Sequence, residues 1–108
     1  EVPSRGLGDV YKRQELHDGV VVVHGTDRLT ESGDRTLKLN PNLTVPIVFT
    51  GAMRPYEMKH TDAVQNVTEA LLSVQILDAG VYLAIHNKIL SFPGVQKSPE
   101  HGTFIKTG

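Results

Sequence analysis

The sequence predicts an α/β fold: a three-layer domain with a mostly parallel sheet and flanking helices. Three observations lead there. Apolar runs rich in β-branched residues recur at Val20–Val23, Pro46–Thr50 and Gly80–Ile85, without the polar alternation of a half-exposed strand. Stretches of helical character separate them, giving the order β-α-β-α-β. The connections are short and marked by glycine and proline.

The first run is four consecutive valines, Val20–Val23, which suits a strand buried on both faces. His24-Gly25 breaks it. Thr26 and Asp27 then stand just past the carboxyl end of the strand, where open α/β sheets place their ligands. A hydroxyl beside a carboxylate there is a candidate for chemistry. Either residue is also a good helix N-cap, and on this run alone capping is the simpler reading. Arg28–Leu39 follows as a helix whose only large apolar residues are Leu29, Leu37 and Leu39, with Gly33-Asp34 as an interruption. Asn40-Pro41-Asn42 ends it, because proline cannot continue a helix.

Val45–Thr50 is the second buried strand, and Gly51 allows a tight exit. Arg54–His60 is a loop shaped by Arg54 and Pro55, and no role attaches to Tyr56–His60. The best helix starts at Thr61 or Asp62, with Asp62 and Gln65 spaced like a capping pair. Val64, Val67, Leu71 and Val74 form its apolar stripe, widened by Ala63, Ala70 and Leu77. Asp78-Ala79-Gly80 closes it, with Gly80 as the C′ residue. Val81–Ile85 is the third strand. Asn87-Lys88 turns the chain, Ile89–Phe92 returns as a short strand, and Pro93-Gly94 turns again. The expected core is Val21, Val23, Val48, Val67, Leu71, Val74 and Leu83.

At 108 residues the chain has room for one domain. A formal net charge of −1 leaves no field to attract nucleic acid or an anionic membrane. Cysteine is absent, which excludes disulfides and thiolate metal sites. No apolar run approaches the ~20 residues that span a bilayer. His17, His24, His60, His86 and His101 lack paired ligand spacing, so no metal site is expected. His24 reads as a packed or hydrogen-bonded structural residue.

Glu1–Gln14 has no helical or strand period. Its stretch GLGDVYKRQ looks like translated adaptor sequence, so residues 1–14 are expected to be foreign and poorly packed. Residues 15–108 form the domain. Thr103–Thr107 stops without a turn or cap, so the chain reads as a piece of a longer one.

In this order and spacing, DGVVVVHGTD, PIVFTGAMRP, GVYLAIHNK and GVQK resemble the L-asparaginase (asparaginase/glutaminase) family of amidohydrolases. HGTD together with TGAMRP is the specific pair. The likeness covers about Asp18 to Phe104, within the family's flavodoxin-like amino-terminal domain, which is then incomplete here. It implies hydrolysis of a side-chain amide of L-asparagine or L-glutamine to the acid and ammonia, through a threonine acyl-enzyme. It carries a second site threonine onto Thr26, an aspartate onto Asp27 and a lysine onto Lys97. Lys97 would accept a proton from Thr26, and Asp27 would pair with the substrate's α-ammonium. Gly25, Thr26, Asp27 and Ala52 would bind the substrate, the Ala52 carbonyl holding its amide nitrogen. A small-molecule substrate, no cofactor and a homo-oligomeric complete protein are further implications; the location is left open, the cytoplasm being favoured over the periplasm.

Two departures stand out. Arg28 replaces the family's usual threonine, and Arg28–Leu39 is more polar than the family's helix. In addition, no threonine precedes Thr26, so the family's first nucleophile is missing from this chain, which is expected to be inactive alone. Outside the resemblance, Lys97 reads as a surface lysine, Asp27 as a helix cap and Asp62 as the cap of its own helix near the expected pocket. The competing functions are an asparaginase-like subunit of a tRNA-dependent amidotransferase and a non-catalytic α/β small-molecule-binding module. Convergence of the Thr26 hydroxyl with the Lys97 amine favours the enzyme; Lys97 aimed at solvent favours the binding module.

Overall fold

A computed structural model of the protein describes residues 19–53 and 61–107. The expectations for residues 1–14 and for the loop after Met53 lie outside the described residues. The elements are β1 (Val20–Val23), α1 (Leu29–Leu39), β2 (Pro46–Thr50), α2 (Ala63–Ser73), β3 (Gly80–Ile85), β4 (Lys88–Ser91), β5 (Val95–Ser98) and β6 (Thr103–Lys106). β1, β2, β3 and β4 form one sheet in that order. The first three strands are parallel and β4 returns antiparallel on β3. β5 and β6 make a separate antiparallel pair.

The period of two in the strands separates two cores. Ile47 and Phe49 of β2 with Val81, Leu83 and Ile85 of β3 face one way, against Leu29 of α1, Phe92, Val95 and Phe104. Val48 and Ala84 face the other, against Ala70, Val74 and Leu77. The sheet is therefore the middle of three layers. α2 covers one face; α1 and the β5–β6 hairpin cover the other. β2 is buried along its whole length, as expected of a central parallel strand without polar alternation.

Several expectations need correction. β1 is buried only at its start: Val20 is buried, Val21 half-buried, and Val23 is 43% exposed. It is the end strand of the described sheet, so its carboxyl end is covered less than a central strand would be. Val48 and Leu83 are fully buried, and Val67 and Val74 are half-buried, but Leu71 is 52% exposed. α2 turns Asn66, Ala70 and Ser73 to the sheet instead. These small or polar residues let the helix approach the strands closely, and Val64 and Leu71 are left facing outward.

Gly33 does not interrupt α1. It is buried in a continuous helix, and a Cβ there would fall inside the Phe92 ring. Gly80 is not a helix cap; α2 ends at Ser73 with Val74 as its C-cap, and Gly80 opens β3 opposite Pro46. The β3–β4 turn is His86-Asn87, one residue earlier than Asn87-Lys88, because Ile85 pairs with Lys88. β5 and β6 follow Pro93-Gly94, where the sequence pattern predicts no strands.

Candidate active site

The site forms where β1 and β2 end side by side. The His24 N–H donates to the Thr50 carbonyl at 2.8 Å, which extends the β1–β2 ladder by one bond. Gly51 then passes so close to the His24 carbonyl that a Cβ would collide with it, beside the Thr26 methyl. This is the close backbone approach for which glycine is suited. The Thr50 hydroxyl, fully buried, donates to the Ala84 carbonyl at 2.8 Å. His24 is structural, as expected: its ring nitrogens meet the Gly25 carbonyl and the Ser32 hydroxyl.

Thr26 and Asp27 follow on the loop to α1. Neither caps the helix, contrary to the simpler reading of that run. Arg28 is the N-cap residue and no side-chain cap bond is made. Their side chains meet Lys97 instead. Its Nζ donates to Thr26 Oγ1 at 3.1 Å and to Asp27 Oδ1 at 2.9 Å, across 71 and 70 residues of chain. Lys97 is therefore not a free surface lysine: its side chain is 29% exposed, against 95% for Asp27. The Lys97 hydrogen bond, and then its positive charge, hold the Asp27 carboxyl below the ordinary carboxylate range.

Lys97 reaches this point because of its hairpin. Val95 and Ser98 are buried, and Phe104, the cross-strand partner of Lys97, is fully buried in the core. Lys88 Nζ, donating to the Phe104 carbonyl at 2.8 Å, ties β6 to β4.

Ala52, half-buried, lies between two anchors on α2. Asn66 Nδ2 donates to the Gly51 carbonyl at 2.8 Å, and the Met53 N–H donates to Asp62 Oδ2 at 2.9 Å. Asp62 is the N-cap residue of α2, but its carboxylate makes no cap bond. It accepts from Met53, from Asn66 Nδ2 at 2.8 Å and from His86 Nε2 at 2.6 Å. Gln65 completes no capping pair; it bonds Glu69 and Asn87. Sequence pattern alone assigns no role to Asn66, His86 or Thr103. One signal is present for Asn66: a polar residue one turn before Ala70, on the stripe that faces the sheet. Among the described residues, no group of three or more His, Asp or Glu side chains could hold a metal.

A hydroxyl, an amine and a carboxylate thus converge at the strand ends, beside a glycine-tightened turn. A family model described as "Asparaginase, N-terminal" matches residues 7–103. The chain belongs to the asparaginase family. An L-asparaginase from Thermococcus kodakarensis is 32% identical over 88 residues, 82% of this chain and 27% of that protein. A glutamyl-tRNA(Gln) amidotransferase subunit from Thermofilum pendens is 33% identical over 84 residues, 77% of this chain and 19% of that one. The solved thermostable L-asparaginase from Thermococcus kodakarensis superposes with a TM-score of 0.75 at 28% identity, covering 92% of this chain and 31% of that one. The probable cytoplasmic L-asparaginase from Campylobacter jejuni gives 0.72 at 35% identity, covering 93% and 32%. This asparaginase-family domain therefore spans about a quarter to a third of the length of these L-asparaginases.

Proposed function

We propose that the complete protein hydrolyses the side-chain amide of L-asparagine, and of L-glutamine as a second substrate, to the acid and ammonia. The observation that carries this reading is the contact of Lys97 Nζ with Thr26 Oγ1 at 3.1 Å. Amide hydrolysis needs a deprotonated nucleophile and a donor set for the developing oxyanion. An amine that donates to a hydroxyl oxygen when charged is placed to take the hydroxyl proton when neutral. Asp27, exposed at the rim, offers a carboxylate for the α-ammonium of an amino acid; its bond to Lys97 would give way or be shared when substrate binds. Gly25 and the Ala52 carbonyl are assigned to substrate binding by the same reading, the carbonyl as acceptor for the substrate's amide nitrogen. The acyl-enzyme is assigned to a threonine of the complete protein upstream of Glu15, which this chain does not contain, and Thr26 and Lys97 to the proton transfers around it. The complete protein is taken to be a homo-oligomer.

Ammonia release from asparagine and glutamine by the complete protein tests the reading. Thr26→Val keeps the β-branched shape and removes the hydroxyl; Lys97→Met keeps an unbranched chain and removes the amine. Both should abolish turnover with the fold intact, because groups acting as a unit lose most of their effect when one is lost. Full activity in Thr26→Val would refute the role of Thr26. Release of ammonia only in the presence of a tRNA-dependent amidotransferase partner would favour the amidotransferase reading instead.

A further inference from the structure

The β5–β6 hairpin that carries Lys97 is not hydrogen-bonded strand to strand with the main sheet, yet Lys97 must be held against Thr26. The Ala52 turn belongs to the other side of the site and hangs from α2. One side chain touches both supports. His86 Nδ1 meets Thr103 Oγ1 at 2.7 Å, and His86 Nε2 meets Asp62 Oδ2 at 2.6 Å. Thr103 is the cross-strand partner of Ser98, next to Lys97. Asp62 holds the Met53 N–H. With Nε2 turned to the carboxylate, Nδ1 is left to meet the Thr103 hydroxyl. The two ring nitrogens thus serve one partner each.

The backbone at this point is that of a tight two-residue hairpin turn. His86 has φ +50° and Asn87 φ +64°, the signature of a two-residue type I′ turn. Asparagine and glycine suit such φ values better than histidine. The turn's N–H groups are already satisfied from α2, residue 86 by Asn66 Oδ1 at 3.0 Å and residue 87 by the Glu69 carboxylate. The turn therefore needs neither the imidazole nor its bonds. The imidazole is therefore left to its contacts outside the turn, with Asp62 and Thr103.

We infer that His86 is a positioning residue: it couples the hairpin carrying Lys97 to the Gly51–Met53 turn through Thr103 and Asp62, and sets the distance across the site. This rests on the proposed amide hydrolysis for its catalytic meaning, and on geometry alone for the coupling. The imidazole touches no reacting atom.

The test uses the complete protein and the variants His86→Asn, Thr103→Val and Thr103→Ser. Asparagine fits the turn but is too short to bridge Asp62 and Thr103, so the melting temperature of His86→Asn should stay level or rise. Its kcat should fall about 10- to 100-fold, the scale of a small misplacement of reacting groups, with KM little changed. Thr103→Val should behave alike, and Thr103→Ser, which restores the hydroxyl, should recover turnover. Amide hydrogen exchange is read on the same proteins: His86→Asn should speed exchange at both Met53 and Lys97. If the wild type releases no ammonia, the hydrolytic reading fails and the exchange data alone decide the coupling. Wild-type exchange at either residue in His86→Asn overturns the inference. So does a wild-type kcat in an active protein, or a kcat loss that only tracks a lower melting temperature.

Discussion

At the residue scale, Lys97 decides what its neighbours can do. It binds Thr26 and Asp27 at once, and the charge it brings lowers the Asp27 carboxyl below its ordinary value of 3.8. The pH consequence has a definite sign. A carboxyl depressed in the folded state contributes its ion pair in full above the ordinary value, and the contribution is lost as pH falls through the lowered one. The tie from Asp27 to Lys97 should therefore survive from neutral pH down through the ordinary carboxylate range and open only below it. Carbon chemical shifts of Asp27, followed through an acid titration, should show a midpoint that rises toward 3.8 in Lys97→Met. Added salt should shrink the difference, since Asp27 is exposed and its field is screened. An Asp27 midpoint unaffected by Lys97→Met would remove the ion pair from the account.

At the element scale, packing overrides local preference in both helices. Alanine is a better helix former than glycine by about 1 kcal/mol, so Gly33→Ala would stabilise α1 in isolation. Here the added methyl enters the Phe92 ring, and overpacking should leave a net loss of about 1–3 kcal/mol; a thermal melt checks the sign. In α2 the apolar stripe read from spacing is not the buried one. Leu71→Ala should cost no more than about 0.5 kcal/mol, as at most surface positions. Leu83→Ala, at a fully buried position of β3, should cost about 2–5 kcal/mol. Denaturant unfolding of the two variants side by side separates these values.

At the scale of the whole molecule, the site depends on a hairpin resting on the core rather than on the sheet ladder. Phe104 is fully buried, in one cluster with Leu29, Ile47, Leu83 and Phe92, and it stands opposite Lys97. Phe104→Ala should lower stability by about 3–5 kcal/mol. In the complete protein it should also cut turnover while most molecules remain folded, because the strand bearing Lys97 loses its seat. Unchanged turnover in a folded Phe104→Ala protein would show that the hairpin is held by other contacts.

Much of this was legible in the chain itself. β-branched runs without polar alternation marked β1, β2 and β3, and the stretches between them imposed parallel order, since short turns cannot join parallel neighbours. HGTD, TGAMRP and GVQK, in order, brought Thr26, Ala52 and Lys97 into one argument before any distance was known. Tertiary structure alone decided the rest. α2 carries apolar residues on more than one face, and periodicity cannot say which face meets a sheet; close approach selected Asn66, Ala70 and Ser73. The strands β5 and β6 carry Gln96, Lys97, Thr103 and Lys106 among few apolar residues, so their pairing left little trace in local pattern. The contacts of His86 with Thr103, Asn66 and Asp62 span 17, 20 and 24 residues. Hydrogen bonds over such separations depend on where the backbone has already gone, and no local sequence preference encodes them.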